Sequence, residues 1–287
     1  IYGRWTYLYI AVGTGEHKLC SFFRPFGIFL NWWSERRKKD EDDATKIEFA
    51  DTYHGKVVTT ESARKLVTVN KKIDLTNLEQ IIPYKRAKDI IMLNPESILA
   101  LECPCRAARE NPCTPIDVCL IVGEPFTSFV LQHHPKKARI ITSQEAEQIL
   151  EDEHKRGHVH HAFFKDAMLD RFYAICNCCK CCCGAMQIFN EGTPMLSSSG
   201  YVCTVDSETC IGCGLCAKTC QFEAITLNDD KTACIDPEKC MGCGACLSVC
   251  KPEALSLERD QTKPPPLEIH KLMELTAKDV EQTSSVQ

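Results

Sequence analysis

A duplicated cysteine motif near the carboxyl end constrains the fold more than any other feature of the chain. Residues 208–227 (ETCIGCGLCAKTCQFEAITL) and 238–257 (EKCMGCGACLSVCKPEALSL) align without a gap, 30 positions apart. Each copy contains one C-x2-C-x2-C-x3-C run, and the cysteines are Cys210, Cys213, Cys216 and Cys220, then Cys240, Cys243, Cys246 and Cys250. Self-similarity at a fixed period indicates a duplicated structural unit.

This spacing is the ligand run of bacterial two-cluster ferredoxins, in which the fourth cysteine of each run binds the other cluster. The first predicted [4Fe–4S] cubane is bound by Cys210, Cys213, Cys216 and Cys250. The second is bound by Cys240, Cys243, Cys246 and Cys220. A zinc site would instead have a longer spacer between two C-x2-C pairs.

The residues between these cysteines support the same prediction. Four glycines would let the backbone approach the clusters and point N–H groups at sulfur, namely Gly212, Gly214, Gly242 and Gly244. Apolar side chains should exclude water from the clusters: Ile211, Leu215, Ile225, Met241, Leu247 and Leu255. Proline usually follows the fourth cysteine, but here Gln221 follows Cys220, and Lys251 separates Cys250 from Pro252. The two turns should therefore differ slightly from the usual pattern.

The repeat uses eight of the 21 cysteines and leaves 13. The odd total excludes complete internal disulfide pairing, and regular spacings in a chain of this length favour metal over a disulfide framework. Four cysteines follow a C-x-C-x7-C-x5-C pattern, at Cys103, Cys105, Cys113 and Cys119. The pattern favours a third [4Fe–4S] cluster, whose negative charge Arg106 and Arg109 could balance. Buried free cysteines and a zinc knuckle are the alternatives.

The densest group of cysteines comprises Cys176, Cys178, Cys179, Cys181, Cys182 and Cys183. Alternate residues of a strand face opposite ways, so we expect an irregular loop that wraps a cluster, after a strand at 172–175. This cluster need not be a plain cubane. Histidines upstream offer imidazole ligands, with His160 the first candidate, although they could equally cap a helix or lie in solvent. Cys20, Cys203 and Cys234 have no regular partners and are expected to be small buried hydrophobic residues.

The chain divides into four predicted regions. They are an aromatic and basic arm at 1–45, a Cys-rich domain at 46–200, the ferredoxin domain at 201–262 and a tail at 263–287. The arm holds all three tryptophans in front of the basic run at 35–39, and its apolar stretches are too short to span a membrane. It predicts either an anchor on the cytoplasmic membrane surface or an arm packed on a partner subunit through residues 1–39.

The fold class predicted from the elements is α+β. In the Cys-rich domain the pattern indicates strands at 97–101, 118–122 and 139–141, and helices at 125–134 and 143–154. A further helix is predicted from Pro83 to Asn94, and 190–200 is interpreted as a linker. This alternation gives a small α/β-type N-terminal domain, followed by a ferredoxin-like domain with two [4Fe–4S] clusters. Short strands are expected after each cysteine run, at 222–227 and 254–257.

Four segments occur in the same order in a group of iron–sulfur proteins from anaerobes. They are YKRAKDIIMLNPESILALECPCR, HKRGHVHH, ICNCCKCCC and the terminal cysteine repeat. In about residues 80–257 the chain resembles this group, whose members are described as 4Fe–4S ferredoxin-type proteins. The resemblance implies electron transfer in anaerobic metabolism, often beside a larger redox enzyme or a membrane complex.

The sequence therefore predicts an electron-transfer subunit in which two cubanes and one or two further iron–sulfur clusters relay single electrons. Redox partner subunits are expected, in the cytoplasm at the membrane face or in a large complex. A net charge of −5 gives no reason to expect a nucleic-acid partner, and no nucleotide-binding or esterase motif is present. Two alternatives stay open: an oxidoreductase whose catalytic cluster lies at 176–183, and a thiol or metal redox sensor.

Overall fold

The computed structural model describes residues 42–275. The expectations for the aromatic arm, for Cys20 and for the end of the tail lie outside the described residues. Within residues 42–275, no helix is both long and apolar enough to cross a membrane.

The described chain mixes helices and sheets, which confirms the α+β class. Its helices are α1 (Asp43–Thr52), α2 (Thr60–Val67), α3 (Pro104–Ala107), α4 (Phe126–His133), α5 (Ser143–Lys155), α6 (Gly184–Asn190) and α7 (Leu215–Thr219). Residues 269–275 are also helical. Its strands are β1 (Tyr53–Val58), β2 (Ile73–Leu75), β3 (Ile90–Met92), β4 (Ile98–Leu101), β5 (Cys119–Val122), β6 (Ala138–Ile141), β7 (Val159–Lys165), β8 (Arg171–Cys178), β9 (Leu196–Ser197), β10 (Tyr201–Val205), β11 (Ile225–Leu227), β12 (Ala233–Ile235) and β13 (Leu255–Arg259).

Seven strands form a central sheet in the order β6-β4-β5-β8-β7-β1-β9. Neighbouring strands are antiparallel, except that β9 runs parallel to β1. The strands predicted at 97–101, 118–122 and 139–141 and the helices predicted at 125–134 and 143–154 are confirmed to within two residues. Helix α5 begins at an N-cap, Thr142, whose side chain accepts a hydrogen bond from Glu145 N–H.

The central sheet separates two hydrophobic cores because successive side chains of a strand face opposite ways. In β4, Ile98 and Ala100 belong to one core, which α2 and α5 cover. Leu99 and Leu101 belong to the other, which α4, α6 and part of the ferredoxin repeat cover. The cysteines at the ends of β4 and β5 therefore face the ferredoxin side of the sheet.

The helix predicted from Pro83 to Asn94 is wrong. Residues 84–87 form bends, and β3 pairs antiparallel with β2 in a small separate sheet. Ile90 and Met92 are buried while Ile91 between them is half-buried, so the segment follows the period of a strand. Pairing with β2 overrides the local signals of Pro83 and Asn94.

The ferredoxin repeat forms two short antiparallel sheets. In one, β10 pairs with β13; in the other, β11 pairs with β12. The strands expected at 222–227 and 254–257 are found as β11 and β13. This is the pseudo-twofold arrangement of a ferredoxin-like unit.

The segments on either side of the repeat pack against the Cys-rich domain. The region interpreted as a linker contributes β9 to the edge of the central sheet, and its last six residues are buried. Beyond the repeat, Leu267 and Ile269 are fully buried in the core beneath α2 and α5. Burial on both sides of the repeat holds it against the sheet.

Candidate metal centres

The ferredoxin repeat brings its cysteines together as the spacing predicts. Cys210, Cys213, Cys216 and Cys250 line one cavity with an empty volume of about 350 Å³. Cys220, Cys240 and Cys246 lie close to Cys243, and burial together with these thiols raises the Cys243 pKa. Thiols with raised pKa values bind metal as thiolates only when the metal supplies the compensating charge, which suits a cluster site.

Backbone geometry in the repeat favours close approach to a cluster. All four predicted glycines have positive φ angles, between 63° at Gly242 and 79° at Gly244. A Cβ atom at Gly242 would lie 2.2 Å from the carbonyl oxygen of Tyr201, which leaves room only for glycine. The N–H of Ala224 donates to Cys220 Sγ at 3.3 Å, and the N–H of Cys203 donates to Cys240 Sγ at 3.4 Å. Such bonds stabilise thiolate charge.

The two halves of the repeat differ in how they meet solvent. Ile211 is 71% exposed, whereas its counterpart Met241 is 8% exposed and packs into the core of the Cys-rich domain. Ile225 and Leu255 are buried, whereas Ile211 and Leu215 are exposed to solvent on their outer side, although Ile211 also lines the first cavity. The first ferredoxin site faces outward at Ile211 and Leu215, whereas Cys220 and Phe222 at the end of the first copy pack with Met241 of the second on the core at the central sheet.

A second cavity lies on the ferredoxin-facing side of the sheet, and we call it the six-thiol cavity. Eight cysteines line it: the six that give it its name are Cys103, Cys105, Cys119, Cys176, Cys178 and Cys183, and the other two are Cys179 and Cys182. Its empty volume is about 700 Å³, roughly twice that of the first ferredoxin site. Sheet pairing builds it, because Leu120 pairs with Ile175 and the same register places Cys119 opposite Cys176.

Thiol–thiol contacts run around the wall of the six-thiol cavity. Cys119 interacts with both Cys103 and Cys176, and Cys105 interacts with both Cys103 and Cys183. Hydrogen bonds with these neighbours, together with burial, raise the pKa of the Cys105 and Cys119 thiols. Six crowded thiols cannot all ionise unless positive charge is bound among them. The wall therefore suits a multi-iron centre.

A buried arginine stands at the edge of this cavity. Arg106 is 1% exposed, and its Nη2 lies 2.5 Å from Glu153 Oε2 and donates at 3.1 Å to the carbonyl oxygen of Asn177. Burial alone would raise the Glu153 pKa, but its hydrogen bond with His158 and the charge of Arg106 lower it on balance. Glu153 thus stays ionised and holds the guanidinium against the cavity.

Four cysteines gather at the edge of this cavity, two of which also line it, and we call them the four-thiol site. They are Cys113, Cys179, Cys181 and Cys182, whose sulfur atoms all lie within 4.8 Å of one another. The structure thus divides the candidate ligands differently from their order in the chain. Cys113 leaves the 103–119 group, and within the 176–183 group Cys179 and Cys182 belong to both sites while Cys181 belongs to the four-thiol site alone.

The loop expected after residue 175 begins later than predicted. Strand β8 continues to Cys178, and Cys183 is the N-cap residue of α6. Only the segment between Cys178 and Cys183 is irregular. The strand therefore places Cys176 and Cys178 on the same face, toward the cavity.

His160 lies in β7 within the core, opposite Asn177 of the cavity wall, and lines neither cysteine site. Its Nδ1 hydrogen bonds to Asn177 Oδ1 at 2.6 Å, and its Nε2 has no hydrogen-bond partner among the described residues. Burial lowers the pKa of His160 to about 4, so the ring is neutral at physiological pH. His160 does not line the six-thiol cavity, and it is absent from the sulfur group of the four-thiol site.

Several residues around the cavity carry no sequence signal. Tyr53 and Tyr173 line it, and burial raises both of their pKa values. Asn177 donates from its side-chain amide to the carbonyl oxygen of Val118 at 2.6 Å, joining β8 to the segment before β5. Asn177 lies between Cys176 and Cys178 in the chain. Of these three residues it is therefore the one whose place near the cavity the sequence could have indicated.

The repeat and the six-thiol cavity share one hydrophobic core. Phe222 and Met241 belong to the core that also contains Cys103, Cys119, Cys178 and Cys183. Cys220 and Cys243, from the second ferredoxin group, pack against it. The second ferredoxin site therefore adjoins the cavity, whereas the first lies on the outer side of the repeat.

Comparison with known protein families identifies the domain that contains the repeat. Residues 203–257 match the family model for the 4Fe-4S dicluster domain. No curated protein matches the chain. The match supports iron–sulfur clusters, and together with the cysteine-rich group it indicates an electron-transfer function. The chain therefore contains a 4Fe-4S dicluster domain at residues 203–257, which is consistent with a ferredoxin-type iron–sulfur protein.

Proposed function

We propose that the chain is a multi-cluster electron-transfer subunit with a directed relay. Electrons enter at the first ferredoxin site, continue to the second, and reach a third iron–sulfur centre in the six-thiol cavity. The observation that carries this proposal is the asymmetry of the repeat, in which Ile211 is 71% exposed and Met241 is 8% exposed. The first ferredoxin site is open to an outside partner, and the second, which includes Cys220 and Cys243, is packed against the cavity.

The contact between repeat and cavity is held by specific bonds. The side chain of Gln221 donates to the carbonyl oxygen of Gly157 at 2.9 Å and accepts from the N–H of Lys180 at 2.9 Å. Lys180 also pairs with Glu223 at 2.7 Å. These bonds fix the turn after Cys220 to the Cys-rich domain, so that the second ferredoxin site keeps a constant position beside the cavity.

The six-thiol cavity fits an iron–sulfur centre by its ligand chemistry and its size. Its six thiols exceed the four that a cubane needs, and its volume exceeds that of the first ferredoxin site. A bound cluster would supply one-electron redox chemistry. The protein's own part is to hold the thiols, exclude water with Tyr53 and Phe163, and keep Arg106 near the cluster's negative charge.

The exposed half of the repeat supports a partner on the outside. Ile211, Leu215 and Leu227 are all more than 40% exposed around the first ferredoxin site, where a redox protein of the same complex would dock. We further propose that the complex lies at the cytoplasmic membrane face and that residues 1–39 contact the membrane or a neighbouring subunit. The aromatic and basic composition of that segment supports this part.

Coulometric reduction of the anaerobically purified full chain tests the relay. Two cubanes take up about two electrons and contain about eight iron and eight sulfide. Wild type should exceed both values, and a Cys105→Ala/Cys119→Ala variant should fall back to them. Cys234→Ser is the matched control, because Cys234 is exposed and belongs to neither group. Equal values of about eight iron and two electrons in all three proteins would exclude a centre in the cavity.

One observation favours a catalytic role as the second candidate. The excess of thiols and of space in the six-thiol cavity would suit a centre with an iron open to a small molecule. Carbon monoxide or cyanide should then change the magnetic resonance signal of the cavity centre and leave the two cubane signals unchanged. An unchanged spectrum would favour the relay alone.

A further inference from the structure

The four-thiol site has the dimensions of a single metal ion rather than of a cluster. Cys181 Sγ lies 3.3 Å from Cys113 Sγ, 3.2 Å from Cys179 Sγ and 3.7 Å from Cys182 Sγ. Cys179 and Cys113 are 3.7 Å apart. Four sulfurs held tetrahedrally at about 2.3 Å from one ion lie about 3.8 Å from each other.

A cubane needs a wider arrangement. Each of its four thiolates binds a different iron at a separate corner, so the core of the cluster stands between the sulfurs. The sulfurs of the four-thiol site leave no space for such a core, since all of them lie within 4.8 Å of one another. The six-thiol cavity next to it, by contrast, has an empty volume of about 700 Å³, part of which is open to solvent.

We propose that Cys113, Cys179, Cys181 and Cys182 bind one tetrahedral thiophilic ion, zinc or iron, which is distinct from the iron–sulfur clusters although Cys179 and Cys182 also form part of the cavity wall. Four cysteine ligands and no open position are the features of a structural site. The ion joins the segment before β5 to the turn between β8 and α6. It holds that turn so that Cys178 and Cys183, the neighbours of Cys179 and Cys182 in the chain, point into the six-thiol cavity.

The surroundings of the four-thiol site are already arranged for such an ion. The N–H of Cys113 donates to Cys182 Sγ at 3.5 Å. Arg109 donates to the carbonyl oxygen of Cys182 at 3.2 Å, and Gln187 donates to that of Cys181 at 3.3 Å. Arg109 also bonds to Gln187, so α6 and the loop after α3 hold the cysteine turn from two sides. These bonds orient the ligands and place a positive charge beside a dianionic centre.

Metal and sulfide analysis of the full chain tests the proposal. Wild type should contain about one equivalent of zinc, or of iron in excess of acid-labile sulfide. A Cys113→Ser/Cys181→Ser variant should lose that equivalent and no sulfide, while Cys234→Ser keeps it. Loss of zinc identifies a zinc site, and loss of sulfide-free iron identifies a mononuclear iron site. Loss of several iron with equal sulfide, or no loss of metal, would overturn the proposal.

X-ray absorption of wild type at the zinc and iron edges gives a result that does not depend on how the variant folds. A zinc site should show four sulfurs at about 2.3 Å and no metal–metal scattering. An iron site should appear in Mössbauer spectra as a high-spin component distinct from the clusters. If the protein contains no zinc and all of its iron belongs to clusters, the proposal is wrong. The electron relay is judged separately, by the iron and electron counts of the cavity variant.

Discussion

The buried ion pair at the edge of the six-thiol cavity makes a sharp prediction about stability. Glu153 lies in α5 with its carboxylate fully buried, and it contacts Arg106 at 2.5 Å and His158 at 2.6 Å. In a Glu153→Ala variant the guanidinium remains 1% exposed and loses its counter-charge. Breaking a buried pair by removing one partner costs about 3–5 kcal/mol.

Helix α5 also provides the matched control. Glu151 pairs with Lys155 at 3.4 Å, with side chains 39% and 62% exposed. A Glu151→Ala variant removes an exposed pair that is worth about 0.3–0.5 kcal/mol. For a chain of about this size, 1 kcal/mol shifts the melting temperature by about 2–4 °C. We therefore expect a decrease of about 6–20 °C for Glu153→Ala and of about 2 °C or less for Glu151→Ala.

The assay is the loss of near-ultraviolet circular dichroism on heating the anaerobic holoprotein, at one fixed scan rate because unfolding with loss of clusters is irreversible. Far-ultraviolet spectra at low temperature check that each variant is folded before heating. Equal small shifts for the two variants would refute the reasoning, since they would mean that Arg106 does not depend on Glu153.

Two further predictions concern single residues elsewhere. In Gly242→Ala the new methyl group lies 2.2 Å from the carbonyl oxygen of Tyr201, whereas in Gly244→Ala the nearest atom is Leu257 Cδ1 at 3.3 Å. Both substitutions also place alanine in the left-handed backbone region, which costs about 1–2 kcal/mol. Gly242→Ala should therefore lose the second cubane, whereas Gly244→Ala should keep both, and iron analysis measures the difference. Equal iron contents in the two variants would contradict the role of the close contact between Gly242 and Tyr201. Burial, with the charge of Arg259, lowers the pKa of Lys56 from 10.5 to about 7, so the folded state binds this proton less tightly than the unfolded state. Lys56→Met should raise the free energy of unfolding by up to about 4 kcal/mol at pH 7, and this added stability should vanish as the pH rises toward 10.5. Added stability that does not change with pH would show that the charge of Lys56 is not the cause.

The sequence predicted best where ligands and structure are local. Three cysteines of each ferredoxin group lie within seven consecutive residues, so the spacing alone indicated which thiols come together, and the match at residues 203–257 agrees. The helices at 126–133 and 143–155 were also predictable, because their apolar period and the cap at Thr142 act within one or two turns. The prediction for the segment after Pro83 failed because its partner strand, β2, lies outside the range of local sequence signals, so nothing near the segment indicates the pairing.

At Gln221 the sequence shows a departure from the usual motif that only the structure explains. The sequence showed that the usual proline is missing after Cys220, but gave no reason for it. In the structure the Gln221 amide joins Gly157 to Lys180, two residues outside the repeat. A proline could make neither bond, so the tertiary contact explains the change.

By itself the sequence determined that this chain is rich in thiols, that residues 203–257 contain a 4Fe-4S dicluster domain, and that the class is α+β. Only the tertiary structure decided how ten other cysteines are shared. Cys119 meets Cys176 because β5 lies beside β8, and Cys113 meets Cys181 across 68 positions of sequence. Strand order brings these thiols together, and strand order depends on the burial of whole faces of the sheet, which the spacing of cysteines does not encode.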